Sequence, residues 1–365
     1  MDPITLAGRL ADDEPSGVLL TAMHTSSLFG AVPRFPLATL PTPITEARGL
    51  RAALGGPAQC PRILLKRDDL TGLALGGNKA RKLEFLVGAA LREGATTIVT
   101  SGAVQSNHAR MTAAAARAAG LGVTLVLTTR EPAPALQGNY LLDHLFGANI
   151  HLIAAGPDLR LAVAPDEDVR VREVVDDLRR RGERPYLIPV GGSSAVGALG
   201  YAAATLELVE QLTADHLAPA RLYYASGSRG TQAGLELGWR LFSPPFRLFG
   251  IAVSGGEDEK RVRAARAATE AARLLGCDVA FDPLQLFTDQ DHIGEGYGLP
   301  TADGMSAIRL LAASDGVLLD PVYTSKAMAA LIAHVRSGAV PPDESIIFLH
   351  TGGVPALFAH ADAFR

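Results

Sequence analysis

The chain has 365 residues, of which 48% are hydrophobic and 20% charged. That is enough apolar material for one large domain or two medium ones, and it excludes a disordered chain. Lys plus Arg number 34 against 38 for Asp plus Glu, a formal net charge of −4, which gives no support to a nucleic-acid or anionic-membrane binder.

Only two cysteines occur, Cys60 and Cys277, so a disulfide framework is excluded and a reducing, cytoplasmic setting is expected. Asp2, Asp12, Asp13 and Glu14 stand where a secretory signal would need a basic and then an apolar stretch, so none is expected. The uncharged run from Leu187 to Leu206 contains Pro189, Gly191, Gly192, Gly197 and Gly200, too many breakers for a spanning helix.

In chain order, Pro33 to Pro43 reads as an extended arm. Lys79 to Arg92 follows as a helix with Leu83, Leu86, Val87, Ala90 and Leu91 on one face. Strands are predicted at Thr97–Thr100, Val123–Leu127, Ile150–Ile153, Arg184–Val190, Arg221–Ala225, Leu248–Val253 and Ile346–Leu349. They are almost continuously apolar, the pattern of parallel strands buried on both faces. Helical patterns at Ala109–Ala119, Val169–Arg181 and Ala198–Gln211 alternate with them. The expected fold is α/β, with open, mostly parallel twisted sheets flanked by helices. Residues 86–195 form one such block, taken as a small domain. Residues 1–85 and 196–365 form the larger one, with a ligand cleft expected between the two.

Five segments carry chemistry. Gly76-Gly77-Asn78-Lys79-Ala80-Arg81-Lys82 places Asn78 as a helix N-cap and Lys79 in the first helical turn. The positive end of the helix dipole favours a neutral amine at Lys79, and Arg81 and Lys82 push the same way. A neutral lysine suits Schiff-base chemistry, although taken alone the segment reads more readily as a solvated basic first turn. Gln105-Ser106-Asn107-His108 joins a strand to an Ala-rich helix, where gathered donors suit a carboxylate or serve only as caps. His108 falls inside the helix start and suits a structural role. Gly227-Ser228-Arg229-Gly230-Thr231 is a strand-to-helix turn that suits a phosphate cradle or reads as a generic Gly/Ser-rich turn, the composition favouring phosphate. Asp320-Pro321-Val322-Tyr323-Thr324-Ser325 and His350-Thr351-Gly352-Gly353 complete the set, with Tyr297 in a glycine-rich loop. Thr351 ends a strand, where its hydroxyl could face a ring nitrogen. No P-loop, Gly-x-Gly-x-x-Gly or Gly-x-Ser-x-Gly motif occurs.

Taken together, these segments resemble the fold-type-II, tryptophan-synthase-β-like family of 1-aminocyclopropane-1-carboxylate (ACC) deaminases and D-cysteine desulfhydrases, from about Pro33 to the C-terminus. The resemblance implies a pyridoxal 5'-phosphate cofactor joined to Lys79. Its phosphate would rest on Gly227, Ser228, Arg229, Gly230, Thr231 and Lys82, with Asn78, Asn107, Tyr323 and Thr351 also at the cofactor. It implies a small amino-acid substrate near Gln105, Ser106, Asn107, His108, Tyr297 and Thr324, a homodimer, and no metal. Catalysis would fall to Lys79, Ser106, Tyr297 and Tyr323.

In the deaminase pattern a Glu follows the tyrosine of Asp-Pro-Val-Tyr, and a Leu takes the place of the threonine in His-Thr-Gly-Gly. Here those residues are Thr324 and Thr351, as in the desulfhydrase pattern. A neutral partner favours an unprotonated ring, a weaker electron sink that suffices when a thiolate leaves. The expected reaction is β-elimination from D-cysteine to pyruvate, hydrogen sulfide and ammonia. Alternatives are ACC deamination, or elimination from L-cysteate, D-serine or β-chloroalanine. Arg229, Ser325 and the long stretch before Pro33 depart from the family pattern. Two remoter readings are a non-catalytic ligand-binding relative and a metal hydrolase built on Asp289, Asp291, His292 and Glu295.

Overall fold

The computed structural model describes residues 28–155 and 167–364, so the acidic opening from Asp2 to Glu14 lies outside the described residues. Ten strands occur among them: β1 (Ile44–Glu46), β2 (Arg62–Lys66), β3 (Thr97–Ala103), β4 (Gly122–Thr129), β5 (Asn149–Ala154), β6 (Pro185–Ile188), β7 (Arg221–Ser226), β8 (Arg247–Ala252), β9 (Thr288–Asp289) and β10 (Ser345–Leu349). The α-helices are α1 (Arg48–Ala53), α2 (Lys79–Arg92), α3 (Asn107–Ala118), α4 (Gly138–Leu145), α5 (Glu167–Arg180), α6 (Ala195–Ala214), α7 (Gly230–Phe242), α8 (Glu257–Leu274), α9 (Ala302–Asp315), α10 (Thr324–Arg336) and α11 (Pro355–Ala359).

The strands form a six-stranded sheet ordered β1-β2-β10-β7-β8-β9 and a four-stranded sheet ordered β5-β4-β3-β6. Every pairing is parallel except β1 with β2. Parallel strands need crossover helices, which cover both faces and so demand apolar residues on both. Leu222, Tyr223 and Tyr224 in β7 are accordingly all fully buried. One face of the large sheet packs on α1, α9 and α10 through Leu50, Leu311 and Leu331. The other packs on α6 and α7 through Tyr201, Leu208 and Leu235.

The expected boundary at residues 85 and 86 falls inside α2, which packs on α6 and also on α3 of the smaller unit. Leu83, Leu86, Val87 and Ala90 face the core as expected, but Leu91 is 38% exposed. Close approach to α6 depends on Gly200, where a Cβ would come within 2.4 Å of the Arg81 carbonyl oxygen. A buried ionic network adds a second tie. The Asp68 carboxylate accepts from Arg81 (2.8 and 2.9 Å), Thr42 (2.8 Å) and Tyr201 (2.6 Å), while Glu207 on α6 accepts from Arg81 and Lys66. These contacts fix the start of α2, and therefore Lys79.

Candidate active site

Lys79 is the first residue of α2, after Gly76 and Gly77, whose φ values of +73° and +133° favour glycine. Asn78 supplies no side-chain cap. Its amide instead donates to Thr231 Oγ1 (3.0 Å), and its backbone N–H donates to the Thr351 carbonyl (3.1 Å). The lysine start of α2 is thus tied to the cradle loop and to the end of β10.

Burial lowers the Lys79 amine to about 8. The neighbours act differently from expectation. Arg81 is held by Asp68 and Glu207. Lys82 hydrogen-bonds Lys79, which favours the Lys79 proton, and itself falls well below the ordinary lysine range through burial and the adjacent amine. The other Lys82 contact is a carbonyl, Gly191 O, at 3.1 Å. Neither amine has a carboxylate partner among the described residues. A half-buried and a fully buried amine a helical turn apart call for an anion.

The loop that would receive that anion runs from Ser226 to α7. A Cβ on Gly230 would stand 2.7 Å from Ser193 Oγ and 2.9 Å from Lys82 Nζ, so only glycine leaves this cradle open. Ser193 donates to Ser228 Oγ (2.8 Å) and accepts from the Gly230 N–H (3.2 Å). Ser193 lies in the glycine-containing turn just before α6, which no local motif ties to the cradle. Arg229 has φ +70°, and its guanidinium points into the protein. It donates to Gln232 Oε1 (2.7 Å) and Thr288 Oγ1 (2.5 Å) and pairs with Glu257. Only its backbone N–H is left for a phosphate, so the side chain neither reaches the cradle nor narrows it.

On the smaller unit, Ser106 caps α3 by accepting the Ala109 N–H at 3.2 Å. Asn107 Oδ1 accepts from Asn139 Nδ2 (2.9 Å), and Asn139 also bonds the Gln105 side chain and carbonyl (both 2.9 Å). Asn139 is fully buried and fixes which way the Asn107 amide turns. It was missed because an isolated Asn in a weak helix start carries no local pattern. Thr100 gives its proton to the Ile188 carbonyl (2.7 Å), so His108 Nε2 donates to Thr100 (2.8 Å) and Nδ1 keeps a buried lone pair. Burial and the two lysine charges hold the ring well below its usual range, hence neutral.

Tyr297 and Tyr323 meet hydroxyl to hydroxyl, with ring centroids 6.0 Å apart. Asp320 organises the turn before α10. Its oxygens accept the N–H groups of Val322, Tyr323 and Thr324 and the Thr324 hydroxyl (2.7 to 2.9 Å). Thr324 is therefore fully buried with its proton committed to Asp320, and it cannot donate to a substrate. The Thr351 hydroxyl has no protein partner among the described residues and is the free donor of the two threonines. Ser325 is buried against Gly304 on α9. Of the expected metal loop, Asp289 and His292 converge, but Asp291 and Glu295 do not join them.

The open glycine cradle, the two amines without a carboxylate partner among the described residues and the free Thr351 donor fit an aldehyde-bearing aromatic phosphate. The model of the pyridoxal-phosphate dependent enzymes matches residues 36–352. A D-cysteine desulfhydrase of Salmonella choleraesuis (strain SC-B67) is 42% identical over 333 residues, covering 90% of this chain and 96% of that protein. One from Yersinia pseudotuberculosis serotype O:1b is 41% identical over 343 residues, covering 93% and 99%. The crystal structure of an ACC deaminase homologue superposes with a TM-score of 0.82 at 37% identity, covering 92% of this chain and 97% of that one. A threonine deaminase structure, at 20% identity and a TM-score of 0.58, shares the fold. A likeness that runs unbroken through both sheets and every segment of the lysine site leaves one assignment: the chain belongs to the fold-type-II pyridoxal-phosphate dependent enzymes.

Proposed function

We propose that this chain is a D-cysteine desulfhydrase, converting D-cysteine and water to pyruvate, ammonia and hydrogen sulfide. The observation that carries the choice is Thr324. A neutral hydroxyl, its proton given to Asp320, stands where the deaminase pattern has a glutamate. The desulfhydrase relatives, 41–42% identical along nine-tenths of the chain, support the same reading.

When bound, pyridoxal phosphate supplies an aldehyde for amine capture and a conjugated ring that accepts electron density from Cα. Lys82 and the 228–231 turn would hold the phosphate. Ser106 and the Asn107 amide, oriented by Asn139, would hold the substrate carboxylate. Lys79, its amine brought down to about 8 by burial, takes the Cα proton. The C–S electron pair leaves with sulfur as the hydrosulfide anion. Tyr297 and Tyr323, kept protonated by burial, can donate to it. The Thr351 hydroxyl is available to the ring nitrogen.

The same reading takes residues 86–195 as the small domain and two chains as the working assembly, in the cytoplasm. It is supported by two cysteines free of disulfides. No helix among the described residues is long and apolar enough to cross a membrane. ACC deamination is the second reading, supported by the structural neighbour. Incubation of purified holoenzyme with each substrate separates them. Sulfide and pyruvate from D-cysteine are expected; keto acid from ACC without sulfide from D-cysteine reverses the choice.

A further inference from the structure

Away from the lysine site, Asp289, His292 and His334 meet at the β9 edge of the six-stranded sheet. Asp289 ends β9, His292 lies in the loop leading to Tyr297, and His334 occupies the last turn of α10. Asp289 Oδ2 stands 3.3 Å from His334 Nε2 and 3.9 Å from His292 Nε2. All three groups place a ligand atom within 4.8 Å of the others.

Both separations exceed the ~2.7–2.9 Å of a charge-assisted N–H···O bond. They suit three ligands around one ion, because bonds of ~2.0–2.1 Å at tetrahedral angles put ligand atoms about 3.4 Å apart. The surroundings orient the ligands. His334 Nδ1 meets the Tyr223 hydroxyl at 3.0 Å, and an Nδ1–H donated there leaves the Nε2 lone pair facing Asp289. Asp289 Oδ1 accepts the Asp291 N–H (2.8 Å), which leaves Oδ2 for the cluster. The three side chains are 12–18% exposed, enough for an ion to enter and for water to complete its shell.

We propose that Asp289, His292 and His334 bind a divalent cation of the zinc class. Two imidazoles and one carboxylate select Zn²⁺, Co²⁺ or Ni²⁺ over Mg²⁺ and Ca²⁺, which prefer all-oxygen shells. The ion staples the Tyr297 loop to α10. Lys326 on α10 already grips that loop through the carbonyls of Ile293 (2.7 Å) and Gly296 (3.0 Å). The ion takes no part in elimination, and the site stands independently of the substrate proposed above.

Chelator-treated holoenzyme titrated with Zn²⁺ by calorimetry is expected to take up one ion per chain, and Co²⁺ to give visible d–d bands in the difference spectrum. His292→Ala, a loop change outside the core, should abolish both while the bound cofactor's absorbance is retained. Tyr223→Phe should weaken Zn²⁺ about 10–100-fold through loss of the group behind His334. Zn²⁺ should also slow amide exchange across residues 290–298, and not in His292→Ala. Failure of the folded holoenzyme to bind either ion overturns the proposal. Binding that survives both His292→Ala and Asp289→Asn does the same.

Discussion

Tyr297 reaches across from the loop after β9 to touch the Tyr323 hydroxyl with its own, their rings inclined at 70°. Burial raises both phenols above their ordinary range, so both keep their protons at neutral pH. Each can donate only through this shared contact or into the space beside it. Tyr297→Phe is therefore expected to lower kcat for sulfide release about 100-fold or more, with cofactor absorbance retained. Steady-state kinetics with a spectrum of the same sample checks this. An unchanged kcat would remove Tyr297 from proton transfer.

Lys79 sets a pH dependence in the apoprotein. Only a neutral amine captures an aldehyde, and burial brings Lys79 from 10.5 to about 8. The rate of pyridoxal phosphate uptake should rise with pH and level off just above 8. An ordinary lysine would keep rising past 10. The shift also bears on stability. Because the folded value lies below the unfolded one, the contribution of Lys79 to apoprotein stability rises between pH 8 and 10.5 and is least below 8. Stopped-flow absorbance across pH measures uptake, and Lys79→Ala should show no covalent uptake at any pH.

The two threonines divide structure from chemistry. Thr324→Val removes the hydroxyl on buried Asp320, and a melt should show about 1–3 kcal/mol of lost stability. Thr351→Val removes a hydroxyl with no protein partner among the described residues, so stability should change by under ~0.5 kcal/mol. Its cofactor spectrum and kcat should shift instead. The opposite pattern would take the ring-nitrogen role away from Thr351.

Among the described residues, the hydrogen bonds of the Asn139 side chain and N–H go to Asn107 and Gln105. Asn139→Ala frees the Asn107 amide to rotate. KM for D-cysteine should rise roughly 10-fold while kcat falls less, since a carboxylate contact serves binding more than bond breaking. An equal fall in kcat with unchanged KM would place the residue elsewhere in the mechanism.

Much of this architecture is legible from local pattern. α2 spans the residues that its periodicity predicts, and β3, β4, β5, β7, β8 and β10 sit within a few residues of their apolar runs. Continuous apolarity reports burial on both faces, which parallel strands with crossover helices require. β1, β2 and β9 escape notice: three and two residues carry no periodicity, and the apolar part of β2 is only Ile63-Leu64-Leu65. The site residues that local pattern exposes are those bunched in short segments, such as Lys79 and Ser228. Those that escape act across long separations. Asn139 is 32 residues from Asn107, and Ser193 is 35 from Ser228. His334 gives no hint of Asp289, and a nearby Asp291 is a more tempting partner by spacing alone. Arg229 shows the converse error: a charged residue in a phosphate turn invites an electrostatic role, yet Glu257 claims it.

Ser106 and Asn107 ride on the four-stranded sheet, whereas the cradle loop, the tyrosines and Thr351 belong to the six-stranded one. An α-amino acid bound as proposed therefore spans the gap like a clasp, its carboxylate gripped by one half and its amino end by the other. A molecule lacking either end would be held by one sheet only, and would lose the binding free energy of the other grip. Selectivity for amino acids then rests on two grips carried by different sheets, and conversion of the amine to a ketone removes one of them.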